Sequence, residues 1–155
     1  MTSLSTSVKC LLMPLQEESL LLAPSALIAD ILHNQALLPA QANDPHWLLG
    51  YTRWSDAPRL PVIDYRAMLG QRSATCPQTA IVVVMHALNA ESRHLHYGIA
   101  IDVVPAIESL DTTSLALAPQ RGGKNPCLAS RVYIGTRQGY IPDFDALEQQ
   151  LNAIA

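Results

Sequence analysis

The sequence predicts a mainly β protein with a few short helices, and two observations support this fold class. About nine or ten short apolar runs with strand character are separated by turn-forming residues. Three segments have helical apolar spacing, but they do not alternate with the strands in a repeated β–α–β order. Because a parallel doubly wound sheet requires such a repeat, the pattern favours a β-sandwich or small β-barrels.

The predicted strands are apolar runs bounded by Gly, Pro, Asn, Asp or Ser. The valine-rich run 80–87 is apolar at nearly every position and is expected to be a buried strand. The last hairpin is expected to turn at Gln138 and Gly139, and Pro142 should keep its second strand short or at a sheet edge. The predicted strands are 8–13, 19–22, 47–53, 60–63, 80–87, 96–104, 115–117, 132–135 and 140–141.

An N-terminal helix is predicted after Pro24, with Ser25 as its N-cap. Its apolar face would consist of Leu27, Ile28, Ile31 and Leu32, which recur at helical spacing. The segments 35–45 and 109–125 are expected to be mostly loop, because they are rich in proline and small polar residues.

Two further helices are predicted later in the chain. Asp64 is expected to cap a single turn that ends at Gly70, a residue type that favours the position after a helix. Asp143 or Asp145 would begin the C-terminal helix. The apolar face of that helix would consist of Phe144, Leu147, Leu151 and Ile154.

Length and composition indicate one folded domain over residues 1–155. The chain is 49% apolar and 15% charged, with a net charge of −3. A chain of this size buries enough surface to form a core without disulfides or a structural metal. Nucleic acids and anionic membranes bind clustered lysines and arginines, so neither is expected as a partner.

The cysteines and the N-terminus predict a cytoplasmic protein. Cys10, Cys76 and Cys127 are odd in number, widely spaced and without a C-x-x-C pair, which argues against a disulfide framework or a zinc site. The apolar stretch that begins at Cys10 stops at Pro14. It is too short for a signal sequence or a membrane span.

Patterns typical of catalysis are missing from the sequence. There is no G-x-S-x-G or H-E-x-x-H motif. The segment 122–124 reads Gly-Gly-Lys, but its spacing differs from that of a phosphate-binding loop and no Ser or Thr follows the lysine. We therefore predict that the protein is not an enzyme and uses no cofactor.

Three histidines leave an alternative hypothesis open. His94 and His96 would share one face of a strand, and His86 lies on the preceding strand. Three imidazoles on neighbouring strands could hold a metal ion with an open coordination position, as in a metal-binding protein or an enzyme. A register change of one residue would turn His86 away, and a polar hairpin tip explains the same pattern.

Three segments of the sequence resemble the CheW-like domain family. The stretch 46–70, HWLLGYTRWSDAPRLPVIDYRAMLG, is similar to the core pattern of that family. Gly50 stands at the family's glycine, and Pro61 and Asp64 stand in its Pro-Val-x-Asp strand.

The other two segments follow in the family's order. Residues 97–104 resemble the family's "yGi.VD.V" strand and supply Gly98 and Asp102. Residues 133–147 resemble its closing segment and supply Gly135. The resemblance covers most of the chain.

The resemblance implies a fold of two five-stranded SH3-like β-barrels that pack across an apolar seam. It also implies a non-catalytic signalling adaptor. Such domains couple the cytoplasmic tip of a methyl-accepting chemoreceptor to the regulatory domain of a CheA-type histidine kinase, and they contact other CheW-like domains. The protein would then be cytoplasmic and associated with receptor arrays at the inner membrane.

The sequence departs from the family at one turn. The family's Asn-Leu-Arg-Gly is replaced by residues 53–56, Arg-Trp-Ser-Asp, so that Ser55 stands where the family has an arginine tied to partner binding. Arg53 would replace that arginine only on a regular strand, where alternate side chains share a face. The departures are similar to those of the ChpC-like accessory proteins of the type IV pilus chemosensory system.

The resemblance and the apolar pattern together suggest a set of partner-binding residues. Trp54 stands beside a strand turn, where an aromatic side chain is often partly exposed and able to anchor an interface. For the two isoleucines of the predicted N-terminal helix, packing in the core is an equal alternative. A third hypothesis is a self-assembling β-barrel that uses the same surfaces. The predicted partner-binding residues are Ile28, Ile31, Gly50, Arg53 and Trp54.

Overall fold

Strands in two sheets make up most of the regular structure. The computed structural model describes residues 7–15, 19–71, 77–111, 116–117 and 125–154. The strands are β1 Ser7–Pro14, β2 Ser19–Pro24, β3 Ile28–Ala36, β4 Leu38–Pro39, β5 Leu48–Trp54, β6 Ala57–Ile63, β7 Thr79–His86, β8 His96–Ile101, β9 Ala106–Asp111, β10 Ala116–Leu117, β11 Leu128–Ile134 and β12 Arg137–Pro142. The helical elements are a 3-10 turn at Ser25–Leu27, α1 at Tyr65–Met68 and α2 at Phe144–Asn152.

Each sheet contains six strands within the described part of the chain. The first has the order β10-β11-β12-β2-β1-β9, and the second has the order β3-β7-β8-β6-β5-β4. Neighbouring strands are antiparallel except for the β12–β2 and β6–β8 pairs. The prediction of a mainly β chain with two β modules is confirmed. There are six strands in each sheet instead of five, because the segments predicted as loops supply β4 and β9 and the predicted N-terminal helix supplies β3.

Side-chain hydrogen bonds curl the second sheet into a barrel-like shape. Strands β3 and β5 are separated by three strands in the sheet order. Nevertheless Gln35 on β3 donates from Nε2 to Thr52 Oγ1 on β5 at 2.7 Å and to Arg53 O at 3.2 Å. Thr52 Oγ1 in turn donates to Ala36 O at 2.9 Å. These bonds require the edge strand β3 to approach β5, as the barrel prediction implies.

The predicted N-terminal helix is wrong, because most of this segment forms the strand β3. Strand β3 pairs antiparallel with β7, the buried valine-rich strand. A bulge sets Ile28 opposite Met85 and Asp30 opposite Val84, so one extra residue lies between these two pairs. Ile28 and Ile31 would point to opposite faces of a regular strand. The bulge instead places both against the central core, the apolar cluster that joins strands of both sheets. Tertiary pairing with β7 therefore explains the apolar spacing that suggested a helix.

The closing hairpin turns earlier than predicted. Its turn falls between β11 and β12 at Gly135, which has φ +62°, a conformation that favours glycine. Gly139 lies inside β12, where a Cβ would come within 2.4 Å of Leu22 Cδ1. Pro142 is the last residue of β12, which is an internal strand rather than an edge strand.

Both short helices that follow an aspartate are confirmed. Asp64 accepts from the backbone N–H groups of Arg66 and Ala67 at 3.0 and 3.2 Å, and the turn ends at Gly70 with φ +76°. Asp143 accepts from Ala146 N at 3.0 Å and caps α2. The predicted apolar face of α2 packs in the central core, which joins strands of both sheets.

A buried carboxylate attaches the β7–β8 connection to α2. Glu148 is 2% exposed. It accepts from Leu88 N at 2.8 Å, from Asn89 N at 3.1 Å and from Ser92 Oγ at 2.9 Å. Three donors satisfy a group whose burial is otherwise costly. These bonds fix the connection that leads into β8, where His96 pairs with His86 of β7.

Two predictions concern residues outside the described ranges, Cys76 and the Gly-Gly-Lys segment at 122–124. Within those ranges, no helix has the length and apolar character to span a lipid bilayer.

Candidate partner-binding surface

The β5–β6 turn presents the residues that replace the family's arginine. It is a tight turn at Ser55 and Asp56, and Ser55 adopts a left-handed conformation with φ +48°. Both turn residues and Arg53 are exposed, whereas Trp54 is half-buried. The turn therefore offers polar groups to solvent beside one large aromatic side chain.

Contacts on two sides hold Trp54 in place. Its indole Nε1–H donates to Asp30 Oδ2 on β3 at 3.0 Å. Its ring centroid lies 4.8 Å from that of His96 on β8, with the planes tilted by 54°. The inner part of the side chain packs against the second core, which includes Leu60 and Val82. A half-exposed aromatic ring with one fixed orientation loses little conformational entropy when a partner covers it.

The histidines form a pair instead of the three-residue cluster of the alternative hypothesis. His86 and His96 are direct cross-strand partners, and His86 Nδ1 lies 3.0 Å from His96 Nε2. His94 precedes β8, and its buried Nε2 has no hydrogen-bond partner in the described structure. The residues with described positions contain no group of three or more His, Cys, Asp or Glu that could hold a metal ion. The three-histidine metal site is therefore wrong.

The pKa of His96 is lowered, first because burial penalises the imidazolium and second because His86 is close. The pKa of His94 is lowered by burial and by the neighbouring Arg93. At neutral pH both effects favour uncharged rings. The contact between His96 and Trp54 is then a packing contact between neutral aromatic rings.

Ser55 lies in the turn with φ +48° and not on the strand, so positions 53 and 55 do not alternate as on a regular strand. This removes the condition under which Arg53 would replace the family's arginine. Thr52 pairs with Leu60 and Trp54 pairs with Ala57, so β6 has one extra residue in this interval. The bulge sets Pro58 and Arg59 opposite Arg53. A second arginine, Arg59, therefore lies across from Arg53 on the neighbouring strand.

Gly50 does not present a surface to a partner. It is buried beneath the edge strand β4, and a Cβ at this position would lie 2.1 Å from Leu38 O. Because glycine has no side chain, β4 can pair closely with β5 at this position. The side chain that this arrangement exposes is that of Leu38, which is 68% exposed. Leu38 was not predicted as a surface residue, because it lies in a segment that was expected to be loop.

A groove lies beside this edge strand. Its volume is about 550 Å³, and Arg59 is positioned along it with its guanidinium carbon 4.1 Å from the centroid of the Tyr51 ring. We name it the arginine groove. Its lining residues are Ala36, Leu37, Leu38, Gln41, Tyr51, Thr52, Arg53, Pro58 and Arg59.

A second groove begins at Trp54. Its volume is about 420 Å³, and it runs from the β5–β6 turn to the residues that precede β8. Arg59 lines both grooves, while His94 and Leu95 line only this one. Leu95 is exposed. Arg59 thus stands between two concave surfaces, and Trp54 lines the second of them.

Ile28 and Ile31 pack against the central core and remain partly exposed on the edge strand β3. Asp30, between them, bonds the Trp54 indole. The structure therefore brings two of the predicted partner-binding segments together, and it gives the isoleucines a packing role.

Most of the predicted family-motif residues act in folding. Pro61 is buried on β6 opposite Tyr51. A Cβ on Gly98 would lie 2.4 Å from Val82 Cγ1, so this glycine permits close packing of β7 and β8. Asp64 and Gly135 provide the cap and the turn described above. Asp102 is exposed, directly after the end of β8.

Comparison with known proteins agrees with this architecture. The family model of the CheW-like domain matches residues 9–151. A search of curated proteins finds no match. Among solved structures, the scaffolding protein TtCheW from Thermoanaerobacter tengcongensis is similar, with a TM-score of 0.68 and 14% identity over 89% of this chain and 85% of that chain. At that identity the likeness establishes the fold alone. Because the family model spans nearly the whole sequence, the chain belongs to the CheW-like domain family.

Proposed function

We propose that this protein is a non-catalytic adaptor that couples a chemoreceptor to a CheA-type histidine kinase. The observation that carries the proposal is the position of Trp54, a half-exposed aromatic ring that is fixed by Asp30 and His96 at the edge of a groove. Interface energy is concentrated in a few such anchors, and Trp and Arg are the residue types found there most often. Membership of the CheW-like family supports this kind of function.

The partners of the adaptor are the cytoplasmic tip of the receptor and the regulatory domain of the kinase, and other CheW-like domains bind to the same array. Its location is the cytoplasm, at receptor arrays on the inner membrane. Ser55 replaces the family's turn arginine, and the bulge in β6 next to the turn is a further irregularity. These departures favour the branch that serves type IV pili, as an accessory linker beside a main coupling protein.

A binding titration of the purified protein tests the proposal. The receptor tip and the kinase regulatory domain from the same chemosensory gene cluster are titrated separately by calorimetry. Binding to both supports a bridging adaptor, and binding to the receptor alone supports an accessory linker. If neither fragment binds, the proposed function is wrong.

The variant Trp54→Ala tests the anchor. We expect binding to weaken about 30-fold, which corresponds to about 2 kcal/mol. Loss of the Asp30 hydrogen bond and of the ring contact should lower the free energy of unfolding by about 1–2 kcal/mol and leave the protein folded. The matched control is Tyr133→Ala, because Tyr133 is a 40% exposed aromatic residue on the other sheet. Equal losses in the two variants would contradict the assignment of Trp54.

A further inference from the structure

The arginine groove combines positive charge with apolar surface. Arg53 and Arg59 are its charged lining residues, and no carboxylate belongs to the lining. Neither arginine forms an ion pair with a residue of the described ranges. The protein as a whole carries a net charge of −3, so this local positive charge is opposite in sign to the average surface.

The bulge in β6 places both arginines along one groove. It sets Pro58 and Arg59 opposite Arg53. Arg59 is stacked on the Tyr51 ring, with its guanidinium carbon 4.1 Å from the ring centroid. Stacking uses the face of a guanidinium group and leaves the N–H donors at its edge available for a carboxylate. Two arginines in a lining without a carboxylate give the groove a local positive charge, which an anionic partner would neutralise.

The apolar part of the groove comes from the edge strand β4. Leu38 is 68% exposed and is held over β5 because Gly50 lies beneath it. Natural edge strands are usually protected by charges or by a covering segment, so an exposed leucine at this position is a feature that a partner can cover. Pro39 has no N–H to donate, which limits recognition through the backbone and leaves it mainly to side chains.

We propose that the arginine groove binds an acidic peptide segment that carries at least one large apolar side chain. Its carboxylates would pair with Arg53 and Arg59, and its apolar side chain would cover Leu38. The inference rests on the proposed adaptor function in one respect, because that function decides which protein supplies the segment. Two arginines are too few for the phosphate contacts that drive binding to nucleic acid.

A pair of defined peptides tests the charge preference. The probes are a fluorescein-labelled peptide of alternating glutamate and leucine, six residues long, and the same peptide with lysine in place of glutamate. We expect the acidic peptide to bind, to lose affinity as salt is added, and to bind at least tenfold more tightly than the basic one. Equal binding of both peptides, or binding of neither at millimolar protein, would overturn the proposal.

Charge-reversal variants test the location. We expect Arg59→Glu and Arg53→Glu each to weaken binding of the acidic peptide about tenfold or more. The matched control is Arg137→Glu, because Arg137 is an exposed arginine in the other sheet. A control that weakens binding as much as the groove variants would show that net charge, and not the groove, attracts the peptide. Leu38→Ser should weaken peptide binding without changing net charge, and an unchanged affinity would remove the apolar part of the proposal.

The same variants separate this inference from the adaptor function. If the receptor and kinase fragments bind but are insensitive to Arg59→Glu, and the acidic peptide does not bind, the groove proposal is wrong and the adaptor function stands. If neither fragment binds while the peptide still binds in an Arg59-dependent way, the adaptor function is wrong and the groove proposal stands.

Discussion

The variant Gly50→Ala tests whether Gly50 acts by holding β4 in place. A Cβ would lie 2.1 Å from the carbonyl oxygen of Leu38 and 2.9 Å from its carbonyl carbon. Both of these atoms belong to the backbone, so no side-chain rotation relieves the clash. Either β5 and β4 are forced apart with strain, or β4 leaves the sheet.

Both outcomes cost a similar free energy. Overpacking a well-packed site costs about 1–3 kcal/mol. Release of β4 would remove its backbone hydrogen bonds, including that of Ala40 N to Leu49 O at 3.1 Å, each worth about 1 kcal/mol. It would also expose part of the buried Leu37 in the second core, at about 1–2 kcal/mol. We therefore expect the free energy of unfolding to fall by about 2–3 kcal/mol.

Urea denaturation, followed by the fluorescence of the two tryptophans, measures this loss. The matched control is Gly135→Ala, because Gly135 has φ +62° with no atom within 4 Å of the added Cβ. That variant should lose only the backbone strain, about 1 kcal/mol. Amide hydrogen exchange should be faster at Leu38 and Ala40 in Gly50→Ala alone. A loss below about 0.5 kcal/mol with unchanged exchange would refute the steric role and return Gly50 to the list of direct partner contacts.

Two further predictions concern the β7–β8 connection. Glu148→Gln keeps the size of the side chain but weakens three hydrogen bonds, and its amide N–H₂ would face a backbone donor, so we expect the free energy of unfolding to fall by about 2–3 kcal/mol. The control Glu91→Gln, at an exposed position on the same connection, should change the free energy of unfolding by less than about 0.5 kcal/mol. A similar loss in both variants would contradict the role of Glu148. The pKa of His96 is lowered below its ordinary value of 6.5, so the unfolded chain binds more protons than the folded one between the two pKa values. Stability should therefore decrease as pH falls from about 6.5 towards the lowered pKa. Between pH 7.5 and pH 5.5, the urea midpoint should drop less in His96→Gln than in the parent protein or in the control His33→Gln, whose imidazole is exposed. Parallel pH profiles in all three proteins would contradict this assignment.

Local chemistry was sufficient to predict some elements. The cap at Asp64, the stop at Gly70 and the apolar face of α2 depend on residues within one or two helical turns of each other. The apolar run of β7 is likewise readable from its own residues. The order of the family motifs was sufficient to predict a two-module β fold, which the family match and the sheets confirm.

The β-bulges in β3 and β6 set side-chain positions that the sequence pattern could not predict. The spacing of Ile28 and Ile31 fits one face of a helix, but it equally fits a strand with one extra residue, and only pairing with β7 distinguishes the two. In the same way, the bulge in β6 brings Arg59 opposite Arg53. The left-handed conformation of Ser55 in the turn removes the regular alternation on which the role of Arg53 depended.

The sequence by itself determined the fold class, the caps of α1 and α2 and the presence of an aromatic side chain at the β5–β6 turn, because these depend on short-range spacing and residue type. Only the tertiary structure decided which side chains meet. Asp30, Trp54 and His96 come from three strands that are distant in sequence. Leu38 becomes an exposed edge residue because Gly50 allows β4 to pair closely with β5. The physical reason is that strand register and bulges are fixed by pairing between distant segments, and a change of one residue in register moves a side chain from one face to the other.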